Sequence, residues 1–377
     1  MPILEKITVA DFRNIRLQEL EFSPNLNCIS GNNGEGKTNL LDAIYYLSMT
    51  KSAFSSTDRY NFRYGTSSFS ICGTYLMPNS LESRFSIQVD LTGEKKVRRD
   101  DKPYGKVSSH IGVLPVVMVS PEDISLISES GEERRRFVNS VLSQMDREYL
   151  ASLQQYNRLL QQRNRMLKEL QTDRDLLSVF DSRLQAYAEP VYEARKKFTD
   201  DIRPVISEYY RMLSGGSEQV DVCYRSDLEK GALADLLASS YEKDRILKYT
   251  SAGIQRDDFE FSMNGWPIRK CGSQGQQKSF LVSLKFAQYE IMKRCCGFAP
   301  LLLLDDVFDK LDMNRISNLL SMVSGSDFGQ IFITDSNKVR MAGIVDRITE
   351  DRAYFEVSAG EFRLSGGLPE DEDLPEA

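Results

Sequence analysis

Gly31-Asn32-Asn33-Gly34-Glu35-Gly36-Lys37-Thr38 follows an apolar run, Leu26–Ser30, and precedes an apolar-striped segment from Asn39 to about Ser48. The octet fits the pattern G-x-x-x-x-G-K-[ST], and its flanks predict strand, loop and helix in the order a phosphate-binding loop needs. Each residue type has a chemical reason. Glycines let backbone amides close around a phosphate, and the helix start adds its positive end. Lys37 reaches the terminal phosphates, and Thr38 offers a hydroxyl to Mg²⁺. An ordinary Gly-rich turn could carry the same letters; the strand before it and the helix after it argue against that.

A second run, Leu301-Leu302-Leu303-Leu304-Asp305-Asp306, reads as a buried strand ending in two carboxylates. Beside a phosphate loop, Asp305 would hold Mg²⁺ and Asp306 could polarise the attacking water. Between the two lies Ser273-Gln274-Gly275-Gln276-Gln277, which opens a helix running to about Cys295 with one apolar stripe. Ser273 suits a simple N-cap. Gly275 at an exposed helix start also permits close approach of a ligand, so a second phosphate-binding helix end is open, its guest a nucleotide held by another copy of the chain.

Composition narrows the rest. The 377 residues are 41% apolar and 27% charged, enough for one large domain or two. The longest apolar runs, such as Phe298–Leu304, fall far short of the ~18 residues of a membrane span. Met1–Leu20 lacks a signal-peptide core, so a cytoplasmic protein with no membrane partner is expected. Six cysteines without CxxC spacing and a single histidine, His110, argue against a zinc site and against Ser/His or Cys/His catalysis. Any chemistry must run on carboxylates, Lys, Arg and backbone amides. The net charge is −7, but Glu370, Asp371, Glu372, Asp373 and Glu376 account for five of those charges. Residues 366–377 therefore read as an acidic, solvated tail, and a polyanion site must be a local basic patch.

Along the chain, period-two patterns over Ile3–Phe12, Leu17–Phe22, Ser68–Leu76 and Ser83–Leu91 predict strands, and the very apolar run Val113–Val119 predicts a buried one. From Gly131 to Leu213 the period becomes about 3.5. Leu153, Leu160 and Leu167 form one seam, with Tyr156, Arg163 and Leu170 beside them; Leu177, Leu184, Val191, Phe198 and Val205 form another. Two antiparallel helices joined near Thr172–Asp175 are expected, with kinks near Pro190 and Pro204. The first would be only ~35 Å long, a stub rather than a rod. Asn264-Gly265 marks a hairpin turn. A helix around Asn314–Val323 and a strand Gln330–Thr334 complete an α/β pattern.

The order of these parts, with Asp309-Lys310-Leu311-Asp312 after the acidic strand, resembles the ABC-type ATPase heads of the SMC kind. Within that group, Asp11-Phe12-Arg13-Asn14, Gly31–Asn39, Ser120-Pro121-Glu122-Asp123, Gly131–Phe137, Gln162-Arg163-Asn164 with Leu167-Lys168, Arg256-Asp257-Asp258 and Ser273–Gln277 resemble successive blocks of the RecF family of bacterial recombination mediators. The resemblance implies an α/β fold. Residues 1–120 and 297–365 would form an ATPase lobe with a mixed sheet, and 121–296 a largely helical second lobe carrying the arm, about 149–213. It implies that Gly31, Asn32, Asn33, Gly34, Glu35, Gly36, Lys37, Thr38 and Asn39 bind ATP with Mg²⁺, with Arg13 and Asn14 near the base. Thr38 and Asp305 would be the metal side and Asp306 the hydrolytic carboxylate. Ser273, Gly275 and Gln276 would cap a γ-phosphate held by the partner copy, and Asp312 would cross the dimer interface. An ATP-dependent homodimer would bind double-stranded and gapped or single-stranded DNA and promote recombinase loading with RecR and RecO, and so indirectly RecA. Slow, DNA-stimulated hydrolysis would release it.

Three positions depart from the pattern. Asp306 stands where most ABC ATPases carry Glu, Gln255 stands where the family leads one to expect His, and no histidine follows Gln330–Thr334, which leaves Thr334 or Asp335 to face the γ-phosphate. For DNA, two basic stretches are candidates: Arg158, Arg163, Arg165 and Lys168 on the arm, and Lys95, Lys96, Arg98 and Arg99 with Lys102 and Lys106. Arg163 falls in the apolar seam, where pairing with a carboxylate of the facing helix is the stronger expectation. Arg134-Arg135-Arg136 is expected to pair with Glu132 and Glu133. The alternatives are a structural SMC-type DNA tether, against which the short arm speaks, and a transporter-type ATPase subunit, whose coupling surface leaves no place for an arm.

Overall fold

Strict alternation of apolar and polar residues builds the first sheet. In the computed structural model, which describes residues 1–169, 174–216, 218–308, 315, 316, 318, 319, 328–337 and 351–365, the chain divides into two units. One comprises Met1–Asp123 and Met292–Ala377, the other Ile124–Ile291.

In the first unit, Ile3–Phe12 lies between Ile15–Glu21 and Ser68–Leu76, followed outward by Glu82–Asp90, Lys95–Arg99 and Lys102–Pro103, all antiparallel. Its inward positions, among them Ile7, Val9, Phe69, Ile71, Phe85 and Ile87, are fully buried. The second sheet is different in kind. Val116–Val119, Leu301–Asp305, Ile331–Asp335, Leu26–Ser30 and Arg352–Ser358 run parallel, and Glu361–Ser365 closes one edge antiparallel. Its central strands are continuous apolar runs, as strands covered on both faces must be. The helix Lys37–Met49 joins both sheets in one core through Leu40, Leu41, Ala43, Ile44, Tyr46 and Leu47. It is apolar nearly all round because it is enclosed nearly all round.

His110 sits in that core. Its Nε2–H donates to the Leu47 carbonyl at 2.7 Å, and its Nδ1 lies 3.3 Å from the Tyr104 hydroxyl, so the ring serves as a satisfied core group.

The second unit is mostly helical. Gly131–Met145, Arg147–Met166 and Arg174–Ser214 lead to a three-stranded sheet of Val220–Arg225, Asp258–Met263 and Trp266–Pro267, with Leu233–Leu247 between. Both prolines, 190 and 204, lie inside one 41-residue helix. The seam of the first arm helix is Tyr149, Leu153, Tyr156, Leu159 and Arg163, with Leu159 buried where a strict heptad would place Leu160. A straight helix of 3.6 residues per turn drifts off a 3.5 repeat, and over five turns one position changes hands. In the second helix all five expected seam residues are buried. The hairpin turn is Asn264-Gly265, with φ of 50° and 80°, the all-positive pair that a type I′ turn needs.

The helix Gln274–Cys296 departs from the single buried stripe: every residue from 279 to 289 is buried. Its small polar residues make this tolerable. Ser279 donates to the Gly275 carbonyl at 3.0 Å and Ser283 to the Ser279 carbonyl at 2.7 Å, so their hydroxyls are satisfied within the helix. Among the described residues no helix is long and apolar enough to cross a membrane. Residues 309–314, most of the expected helix 314–323, Leu170 and the acidic tail lie outside the described residues.

Candidate nucleotide site

Parallel register sets the site. Asp305 pairs with Thr334 across one strand interface, and Thr334 and Asp335 pair with Ile29 and Ser30 across the next, so the strand ends Ser30, Asp335 and Asp305 finish in one row. The loop 31–36 leaves the central strand at that row, the position where open parallel sheets bind ligands. Gly31 is required by close approach, since a Cβ there would lie 2.6 Å from the Val357 carbonyl. Gly36 has φ 117°, and a Cβ would meet the Asn14 side chain at 2.7 Å.

A cleft of about 150 Å³ is lined by Asn33, Gly34, Gly36, Lys37, Thr38, Asn39, Asp305 and Asp306. The structure thus brings the loop and the acidic strand end together. The Lys37 ammonium rests on the loop's own carbonyls, 2.6 Å from Gly31 O and 3.0 Å from Asn32 O. Burial pulls its pKa down, opposed by the negative field of Asp306, Asp305 and Asp335. Thr38 Oγ1 donates to the Asp305 carboxylate at 2.9 and 3.1 Å. Burial pushes the Asp305 carboxyl up, while hydrogen bonds from Thr334 and Thr38 pull it back. Asp306 follows in the left-handed region, φ 47°, and its backbone N–H donates to Thr334 Oγ1 at 3.0 Å.

Thr334 has a role that the sequence did not show. Its buried hydroxyl donates to Asp305 at 2.8 Å and accepts from the Asp306 amide, so it aims both carboxylate-bearing residues. Asp335, also buried, accepts from the Asn337 amide at 2.8 Å. The signal was a polar residue closing an apolar strand, but only the register of two strands about 30 residues apart shows what it touches.

Arg13 and Asn14 border the loop. The Arg13 guanidinium pairs with buried Asp42 at 2.7 Å and donates to Asn39 Oδ1 at 3.0 Å and Ser52 Oγ at 3.0 Å. Burial raises the Asp42 carboxyl and the Arg13 charge opposes that rise. Asp42, missed in the sequence, is the anchor that makes Arg13 a fixed part of the loop helix. Asn14 donates to the Glu35 carbonyl at 3.0 Å and accepts from Asn39 at 2.7 Å. Glu35 turns away from the cleft: its carboxylate accepts from the Ala359 amide and its carbonyl from the Gly360 amide at 2.8 Å.

In the second unit, Ser273 and Gln276 cap the signature helix reciprocally. The Ser273 amide donates to Gln276 Oε1 at 2.7 Å, and the Gln276 amide to Ser273 Oγ at 3.3 Å. Gln276 Nε2 also donates to Glu218 at 2.7 Å. Ser273 is exposed, and Gly275 and Gln276 are half-buried. Asp312 lies outside the described residues.

The DNA candidates divide. Arg163 is a correction: it is fully buried, with Nε 2.6 Å from Asp181 and Nη1 2.8 Å from Asp244, so no phosphate can reach it. Lys95 is a second correction. Its ammonium is held by Asp58 at 2.9 Å, by the Thr50 carbonyl at 2.6 Å and over the Tyr46 ring. Arg158, Arg165 and Lys168 are exposed on the arm; Lys96 and Arg99 are exposed beside Glu94 and Asp100, and Arg98 is half-buried. Of the arginine triplet only Arg136 pairs with Glu132 and Glu133. Arg134 grips Asp258 with two bonds of 2.8 and 3.1 Å, and Arg135 donates to the Asp257 carbonyl at 2.6 Å. Asp257 itself holds buried Arg195 at 2.5 Å, so the Arg256-Asp257-Asp258 turn is a structural hub.

A parallel sheet with a phosphate loop at its central strand, an acidic strand end beside it and a Ser-Gln-Gly-Gln-Gln helix start in a second, helical unit define an ATPase head of the SMC/ABC class. Residues 3–351 match the family model described as RecF/RecN/SMC N terminal domain. Smc head structures, including one derived from Pyrococcus furiosus at TM-score 0.58 and 16% identity over 97% of this chain and 96% of that one, share the fold. The chain belongs to the RecF family. It is 44% identical over 96% of its length to the DNA replication and repair protein RecF of Parabacteroides distasonis, covering 99% of that protein. It is 40% identical to that of Bacteroides fragilis, covering 95% of this chain and 97% of the relative. The solved structure of the recombination mediator protein RecF with ATP superposes at TM-score 0.87 and 30% identity, covering 97% of this chain and 98% of the other.

Proposed function

We propose that this chain is an ATP-gated DNA-binding protein of replication and recombinational repair. On this reading two copies join head to head on ATP, engage gapped or junction DNA, promote loading of the RecA recombinase with RecR and RecO, and part after slow, DNA-stimulated hydrolysis. The observation that carries the reading is that the phosphate loop and its acidic strand belong to one unit of the chain and the capped start of the signature helix, with Ser273 exposed, to the other. The names of the relatives add replication and repair, and the ATP-bound structure belongs to the RecFOR pathway.

The residues fit the nucleotide and its metal. Thr38 and Asp305 present hard oxygens at one corner of the cleft and would hold Mg²⁺. The ion, when bound, neutralises phosphate charge. Lys37 would exchange the loop carbonyls for the terminal phosphates, and Asp306 would orient and deprotonate the attacking water. Ser273, Gly275 and Gln276 of one copy would meet the γ-phosphate on the other, with Asp312 at the interface. The shorter reach of Asp306 compared with Glu suits a slow timer. The exposed Arg158, Arg165 and Lys168, with Lys96, Arg98 and Arg99, supply candidate phosphate contacts.

ATP hydrolysis measured against protein concentration, with and without gapped duplex at fixed salt, tests this. Specific activity is expected to rise with concentration and with DNA. Activity flat in both would leave a self-contained ATPase and overturn the dimer and the DNA role together.

A further inference from the structure

Tyr60 and Tyr64 are the feature of the first unit that neither folding nor the nucleotide site uses. Their exposures are 74% and 101%, and they sit four residues apart beside Arg59, which is exposed, and Arg63, which is partly so. Single exposed aromatics need no explanation. Two of them interleaved with arginines on a rigid base are a different matter.

The base is rigid because Asp58, Asn61, Phe62 and Arg63 are each engaged. Asp58 accepts from the Tyr46 hydroxyl at 2.8 Å and pairs with Lys95 at 2.9 Å. Asn61 is fully buried, and its carbonyl accepts from the Arg13 amide at 2.8 Å. Phe62 turns inward to pack at 5.1 Å on Phe69, and the Arg63 amide donates to the Asp11 carbonyl at 2.9 Å. The segment commits its one inward aromatic to the core and leaves two facing out. Asp58 is neutralised by Lys95 and Arg63 lies 3.9 Å from the Asp11 carboxylate, so Arg59 supplies the uncompensated charge beside the rings.

We propose that residues 59–64 form a stacking platform for unpaired bases of single-stranded DNA, such as the exposed strand of a gap. An aromatic ring can stack on any base that has lost its neighbour, whereas bases of an intact duplex already have theirs; arginines beside the rings meet the phosphates. The inference rests on the DNA-binding reading above and adds the site and the strand form it takes.

The test is fluorescence anisotropy of a labelled gapped duplex and a labelled, fully paired duplex of equal length, with ATP and Mg²⁺ at one salt concentration. Tyr60→Ala/Tyr64→Ala is expected to weaken binding of the gapped DNA about tenfold or more. Affinity for the paired duplex should stay within about twofold and ATP binding should be unchanged, which also shows that the variant folds. Tyr60→Phe/Tyr64→Phe, which keeps both rings, is expected to bind gapped DNA as the parent does. Equal loss on both DNAs, no loss on either, or a Phe variant as weak as the Ala variant would each overturn the platform, the second leaving a protein partner as the surface's user. If the parent protein binds neither DNA, the DNA reading falls as well, an outcome distinct from a parent that binds and an Ala variant that binds equally.

Discussion

A guanidinium with no exposure persists in a protein only where carboxylates surround it. Arg163 has Asp181 and Asp244 within 2.8 Å and Thr250 Oγ1 at 2.9 Å. Removing it would strand two acids, Asp181 on the arm and Asp244 on the helix Leu233–Leu247, so Arg163→Ala is expected to lower stability by about 3–5 kcal/mol, read from urea unfolding. A loss under ~1 kcal/mol would show that the acids find water instead. His110 offers a cleaner pH probe because the chain has no other histidine. Burial lowers its pKa below the ordinary 6.5, the bond to Leu47 opposes that shift, and Arg99 adds to it. The unfolded chain therefore binds the proton first, so stability is full above pH 6.5 and falls as the pH drops through the window below it. His110→Gln, which keeps an N–H donor, should lose that part of the pH dependence and nothing above pH 6.5. Parallel curves for the two proteins between pH 5 and 7 would contradict this.

Helix 174–214 carries two prolines that each lack an amide and crowd the preceding turn, yet both lie on its exposed side, where water can satisfy the freed carbonyls. Burial of Leu177, Leu184, Ala188, Val191, Phe198 and Val205 on the opposite side outweighs the local penalty. Pro190→Ala is therefore expected to stabilise the protein by on the order of 1–2 kcal/mol, part of the helix-interior penalty being offset by a more disordered unfolded chain. An unchanged or lower denaturation midpoint would mean that the ring itself packs. The same balance of local and tertiary terms explains the seam. Heptad spacing marked which side of each arm helix is buried, but Leu159 displaced Leu160 because packing follows the helix's own pitch.

For the molecule as a whole, the nucleotide is expected to act as glue and its hydrolysis as release. Lys37→Met should abolish ATP-dependent dimerisation in sedimentation velocity. Asp306→Asn, which retains the metal side but lacks the base, should accumulate as the ATP-bound dimer. A monomeric Asp306→Asn at saturating ATP would remove the sandwich model while leaving ATP binding intact.

What could be read from residue order alone was whatever depends on near neighbours. The octet 31–38, the acidic strand, the capped signature and the two periodicities are local patterns, and strands such as Ile3–Phe12 and the loop helix stand where those patterns put them. Roles that depend on distant residues were not legible. Thr334 aims Asp305, Asp42 fastens Arg13, and Arg134 and Arg135 reach more than 120 residues to the 257–258 turn. Lys95 looked available to DNA because its charge stood in a basic run, and the folded chain withdrew it by supplying Asp58 from elsewhere; Arg163 pairs with Asp181 of the facing helix as its seam position suggested, but its second acid, Asp244, comes from a helix outside the arm. Burial is a property of the surroundings in space, and a charge's function changes when its partner arrives through the fold rather than along the chain.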